Sequence, residues 1–113
     1  MIIRLCDIQC HAYHGVLEEE KEKGNTFRVN ITVDIDAPIG IDSDDIQDTL
    51  DYRRLCDIVE AEMRIPSDLI EHVAWRIKRS FLAAFPLANE VKVRVAKMAP
   101  PMSLAMDWVE VEL

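Results

Sequence analysis

Between Phe27 and Ile35 the chain alternates without a break: Phe27, Val29, Ile31, Val33 and Ile35 fall on one side, and Arg28, Asn30, Thr32 and Asp34 on the other. A period of two marks a strand with one face buried and one face wet, which is the habit of antiparallel sheets. Such a strand needs neighbours and a cover. Val91, Val93 and Val95 alternate with Lys92, Arg94 and Ala96, and Val109, Val111 and Leu113 alternate with Trp108, Glu110 and Glu112, which gives two more strands. Near the N-terminus Ile3 and Leu5 share one face while Ile8, Cys10 and Ala12 share the other, so a bulge is expected at Cys6-Asp7.

The cover is helical. From Leu69 to Phe85, apolar residues recur at Leu69, Val73, Ile77, Phe81 and Phe85, one stripe along a helix that stops at Pro86. Ser67 or Asp68 can cap its start, and Asp68-x-x-Glu71 has the spacing of a capping box. Between Leu50 and Met63, Leu55, Ile58, Val59 and Glu62 or Met63 recur at helical spacing, ending near Ile65-Pro66. The order is ββααββ: an α+β plan with a four-stranded antiparallel sheet and both helices on one face. Val16 to Gly24, dense in charge, reads as a solvated loop, and Ala37 to Asp48, with Pro38 and Gly40, as a long loop at the sheet edge.

At 113 residues the whole of 1–113 suits one domain. A net charge of −8, from 21 acidic and 13 basic residues, argues against non-specific binding to nucleic acid or to an anionic membrane surface. No apolar run approaches the roughly 20 residues that span a bilayer, and Arg4 and Asp7 come too early for a signal peptide. Cys6, Cys10 and Cys56 are odd in number and form no CxxC pair, so a reduced cytoplasm is the expected setting. A lone sheet with no lysine-rich or proline-rich guard along Phe27 to Ile35 exposes its edges, and closing several copies into a ring would remove them. A homo-oligomer with ligand sites at subunit seams is therefore expected.

Some side chains break the pattern. Lys97 follows the valines on their own side of the strand, so an ammonium ends an apolar row. It either snorkels to water or works as a partly buried base. Glu71, at a helix mouth, either caps the helix or accepts hydrogen bonds from a ligand rich in N–H donors. Tyr52, at the start of the first helix, is either an ordinary half-buried tyrosine or lays its ring over a flat heterocycle. His11 and His14 are three apart on a strand and point to opposite faces, so they cannot readily share a metal ion, and no metal site is expected. His72 reads as an orienting or interface residue.

Four motifs in register carry a resemblance. Tyr13-His14-Gly15-Val16 followed by Glu20, Asp44-Asp45 through Asp48-Thr49-Leu50-Asp51-Tyr52, Leu69-Ile70-Glu71-His72, and Lys97 ahead of Pro100-Pro101 resemble dihydroneopterin aldolase across nearly the whole chain. The resemblance implies a tunnelling fold whose subunits close into a β-barrel ring, a tetramer that commonly stacks into an octamer. It implies a cofactor-free lyase of folate biosynthesis acting on a pterin, with no nucleic-acid or membrane partner. Glu71 matches the pterin anchor, the Ile70 and Leu50 backbones contact the pterin, Tyr52 comes from the neighbouring subunit and joins in proton transfer, Lys97 is the base, and Glu20 contacts the substrate or its water. The same groups could epimerise C2′. Two other readings stay open: a dihydroneopterin triphosphate epimerase, and a pterin-binding subunit without chemistry. Met98 and the Met102-Ser103-Leu104-Ala105-Met106 loop depart from the family's proline and glycine there.

Overall fold

The computed structural model describes residues 1–113. Strands β1 (Ile2–Ala12), β2 (Asn25–Asp34), β3 (Glu90–Met98) and β4 (Trp108–Glu112) form one antiparallel sheet in the order β1-β2-β3-β4. The alternating stretch is therefore central, and the edges are β1 and β4, not Phe27 to Ile35 as the sequence suggested. Its alternation has the expected cause, because Phe27, Val29, Ile31 and Val33 are buried while Arg28, Asn30, Thr32 and Asp34 are only partly covered.

Across the β2–β3 pair the buried residues meet one another: Val33 faces Val91, Ile31 faces Val93, Val29 faces Val95, and Phe27 faces Lys97. In β1 the register jumps between Leu5 and Ile8, and Asp7 takes the left-handed region at φ 58°. The Asn30 side chain accepts the Asp7 N–H at 2.8 Å and Arg28 pairs with the Asp7 carboxylate at 3.3 Å, which fixes the bulge. With one residue absorbed there, Ile3, Leu5, Ile8 and Cys10 all pack on the same core as Ala12.

Helices α3 (Tyr52–Met63) and α4 (Ile70–Ala84) cover that core with Leu55, Val59 and Met63 from one and Val73, Ile77 and Phe81 from the other. The start of α4 corrects an expectation. Leu69 occupies the cap position with no side-chain cap bond, so neither Ser67 nor Asp68 caps and the Asp68–Glu71 box does not form. Leu69 itself is 53% exposed instead of joining the stripe, and Asp68 pairs with Lys21 at 3.3 Å.

Two expected loops contain helical turns. Ala37 to Asp48 holds α2 (Gly40–Ser43) and a 3-10 turn at Ile46–Asp48. Val16 to Gly24 holds α1 (Glu18–Lys23), whose charges face water except for Glu20, which is buried. Glutamate and lysine are good helix formers, and one turn of helix is what carries Glu20 inward. No helix is long and apolar enough to cross a membrane.

Candidate active site

Lys97 reaches the end of β3 opposite Phe27, with its side chain 12% exposed. Its Nζ donates to Glu20 Oε2 at 2.6 Å, and the Glu20 side chain is 9% exposed. An ammonium has three donors, so two remain for a substrate or water. Of Glu18, Glu19, Glu20 and Glu22, Glu20 alone turns inward. Its other oxygen accepts the Leu17 N–H at 3.4 Å, closing the first turn of α1.

The carboxylate lies against Gly15, where a Cβ would overlap the Glu20 carboxyl group. Gly15 in turn donates its N–H to the Ser67 carbonyl at 2.9 Å, and the Ser67 N–H donates to His14 Nδ1 at 3.1 Å. These two bonds tie the His14-Gly15 turn to the loop that leads into α4. His14 is 1% exposed and meets Phe27 edge-on, with ring centroids 5.0 Å apart. Since Nδ1 accepts, Nε2 carries the proton, and no acceptor meets it in full hydrogen-bonding geometry, the Met63 carbonyl offering a weak contact only. Burial first, then the Arg76 and Lys97 charges, lower the His14 pKa to about 4, with the Met63 carbonyl pulling weakly the other way. The imidazole is neutral at neutral pH.

The loop's tie to His14-Gly15 brings the mouth of α4 to the same corner. Ile70 is buried there, and Glu71 stands exposed beside it. His72, also exposed, stacks on Trp75 at 5.4 Å. His11 Nε2 lies 2.9 Å from the Lys23 carbonyl, away from His14.

Tyr52 and Leu50 lie elsewhere. They belong to the end of the sheet where Asp34 faces Glu90, and seven residues of strand separate that pair from Phe27 and Lys97, roughly 23 Å at about 3.3 Å per residue. Tyr52 is 62% exposed. Asp51 caps α3 by accepting the Arg53 N–H at 2.9 Å, and the Arg53 guanidinium holds the Asp51 carboxyl below its ordinary pKa. A cleft of about 890 Å³ lies beside them, walled by Ile35, Leu50, Asp51, Arg53, Phe85 and Asn89 among others. One chain thus brings together Lys97, Glu20, Ile70 and Glu71 and leaves Tyr52 and Leu50 at the far end.

Sequence reasoning missed Arg76. This arginine is 8% exposed, pairs with Glu62 Oε2 at 2.6 Å and donates to the Ile65 carbonyl at 2.8 Å. A signal existed: on a helix, Arg76 lies beside Ile77 and one turn from Val73 and Ser80, close to the buried stripe.

The FolB family model, described as dihydroneopterin aldolase, matches residues 3–113. The chain belongs to the dihydroneopterin aldolase family. The dihydroneopterin aldolase of Staphylococcus epidermidis strain RP62A is 36% identical over 113 residues, covering 99% of this chain and 93% of that protein. Among solved structures, Escherichia coli dihydroneopterin aldolase in complex with neopterin superposes with a TM-score of 0.86 at 22% identity, over 100% of this chain and 98% of that one. The Burkholderia thailandensis enzyme bound to guanine gives 0.74 at 19%, over 100% and 88%. The sheet and its helices are the tunnelling fold of this family, and the family's lyase activity on dihydroneopterin, within folate biosynthesis, comes with membership.

Proposed function

We propose that this chain splits 7,8-dihydroneopterin into 6-hydroxymethyl-7,8-dihydropterin and glycolaldehyde at a site completed by two subunits. The observation that carries the roles is the buried Lys97–Glu20 pair, 2.6 Å apart, at the corner where α4 begins. A pterin presents a ring N–H and an exocyclic NH2 side by side, and the exposed Glu71 carboxylate offers two acceptors in parallel to match them. The neopterin and guanine named for the two solved relatives both carry that donor pair. The backbone at Ile70, and Leu50 from the neighbouring chain, would border the ring.

Lys97, as the neutral amine with its lone pair turned to the substrate, is cast as the base that takes the C2′ hydroxyl proton through a water. The C1′–C2′ bond then breaks, glycolaldehyde leaves, and the electron pair moves into the N5=C6 imine of the ring as an enamine. Because the substrate brings its own electron sink, no Schiff base to Lys97 is needed. Protonation of the enamine at C1′ completes the product, with Tyr52 of a neighbouring subunit in the proton path and Glu20 holding Lys97 and the water. Re-addition of glycolaldehyde to the opposite face would give the C2′ epimer.

A triphosphate substrate fits less well. Arg53 and Arg54 are the basic pair nearest the motif residues, and Arg53 is already forked onto Asp51, with contacts of 3.0 to 3.2 Å. Incubation with 7,8-dihydroneopterin and assay of glycolaldehyde tests the proposal. Release is expected; pterin binding without release would overturn the cleavage in favour of a non-catalytic subunit, and the absence of both binding and release would overturn the pterin reading altogether.

A further inference from the structure

Arg76 lies outside the groups that would touch substrate, yet both terminal nitrogens of its guanidinium are bonded to the last turn of α3 and the loop that follows, with Nε alone unpartnered. It donates to the Glu62 carbonyl at 2.8 Å, Glu62 Oε2 at 2.6 Å, the Ile65 carbonyl at 2.8 Å and Ser67 Oγ at 3.0 Å. Ser80 donates to the second Glu62 oxygen at 2.7 Å. A rigid planar fork of this kind fixes the relative positions of everything it bonds.

Stability alone does not explain it. A buried ion pair gives up hydration that its Coulomb attraction only roughly repays, and apolar residues of similar volume often replace one without loss. What apolar residues cannot do is hold the Ile65 carbonyl and the Ser67 hydroxyl in place. Ser67 matters because both of its backbone polar groups are committed to the neighbouring turn, the N–H to His14 and the carbonyl to Gly15. The missing side chain of Gly15 leaves the space that the Glu20 carboxylate fills, and that carboxylate receives Lys97.

We infer that Arg76 is a positioning residue for the reaction: through Ser67 it fixes where the His14-Gly15 turn holds Glu20, and so where Lys97 carries its amino nitrogen. This role rests on the functional reading above, in which Lys97 is the base. Glu71 is anchored separately, by the burial of Val73, Ile77 and Phe81 on its own helix. Loss of the fork therefore loosens the base more than the pterin anchor, and an ångström of misplacement can cost about 100-fold in rate.

The test uses two variants of the full chain. Arg76→Met/Glu62→Met removes both charges together, so neither is stranded, and Arg76→Lys keeps the charge without the fork. Each is measured for melting temperature, for amide exchange at Gly15 and Ser67 against Ile31 and Val93, and for kcat and KM. In both, kcat falls roughly 10- to 100-fold while KM moves less than about threefold. Gly15 and Ser67 exchange roughly tenfold faster, with Ile31 and Val93 unchanged. Wild-type kcat in either folded variant overturns the inference, as does faster exchange at all four amides alike, which is ordinary destabilisation. If the wild-type protein releases no glycolaldehyde, the functional reading fails on its own. The exchange comparison then decides whether Arg76 holds the turn, and unchanged Gly15 and Ser67 amides overturn that.

Discussion

At the Phe27–Lys97 end of the β2–β3 pair, Glu20, Lys97 and His14 are nearly sealed from water and tied to residues far away in the chain, through bonds spanning up to 77 positions. At the Asp34–Glu90 end, Tyr52 stands exposed on a helix capped by its immediate neighbour Asp51, and the Asp51–Arg53 pair is a contact two residues long. The first end is finished within one chain, whereas the second presents an aromatic ring and an open cleft to something outside it. A substrate needing both ends can find them only across two copies, since roughly 23 Å of strand separates them within one.

The largest effect should come from the sealed end. Lys97→Ala is expected to lower turnover about 100- to 10,000-fold with pterin binding retained, measured well below its melting point because it leaves the buried Glu20 without its counter-charge. A normal rate would remove Lys97 from the chemistry.

Acid should open the same end next. His14 is held to a pKa of about 4 against its ordinary 6.5, so between those values the unfolded chain binds more protons than the folded one. Stability therefore rises with pH through that window and is lost as pH falls from 6.5 towards 4, by on the order of 3 kcal/mol. Protonation would also set an Nδ1–H against the Ser67 N–H and break the tie to α4. Unfolding free energies from urea titrations at pH 4.5 and 7 should differ less in His14→Gln than in the wild type, by about 2 kcal/mol, and equal differences would contradict the assignment.

A smaller change is expected where the sealed end meets solvent. Glu71→Gln leaves only one acceptor for two parallel donors, and pterin affinity measured by titration should fall about 10- to 100-fold. Unchanged affinity would leave Glu71 without a part in recognition. At the exposed end, Arg53→Ala should shift the melting temperature by less than about 2 °C, since surface ion pairs contribute little. A large drop there would erase the contrast between the two ends.

How much of this the sequence carries depends on the range of the interaction. The strands, the bulge at Asp7 and the two long helices follow from local periodicity, and the parity of Val91, Val93 and Val95 alone sets Lys97 on the buried row. The central position of β2 was not legible, because it depends on pairing with β3 across both helices. Neither was α1, whose charged run differs from a solvated loop through ion pairs to distant residues, Glu20 to Lys97 and Lys21 to Asp68. Asp68 looked like a cap and instead pairs with Lys21, so a contact from far along the chain displaced the local option. The Arg76 fork was hidden because three of its acceptors are the Glu62 and Ile65 carbonyls and the Ser67 hydroxyl, groups that sequence patterns do not mark.

Subunit mixing tests the two-chain site most directly. Lys97→Ala and Tyr52→Ala chains, each inactive alone, are unfolded together, refolded as a mixture and assayed for glycolaldehyde. Random assembly leaves both residues intact at one seam in four, so about a quarter of wild-type turnover should return. A mixture no more active than its two parents would contradict the account.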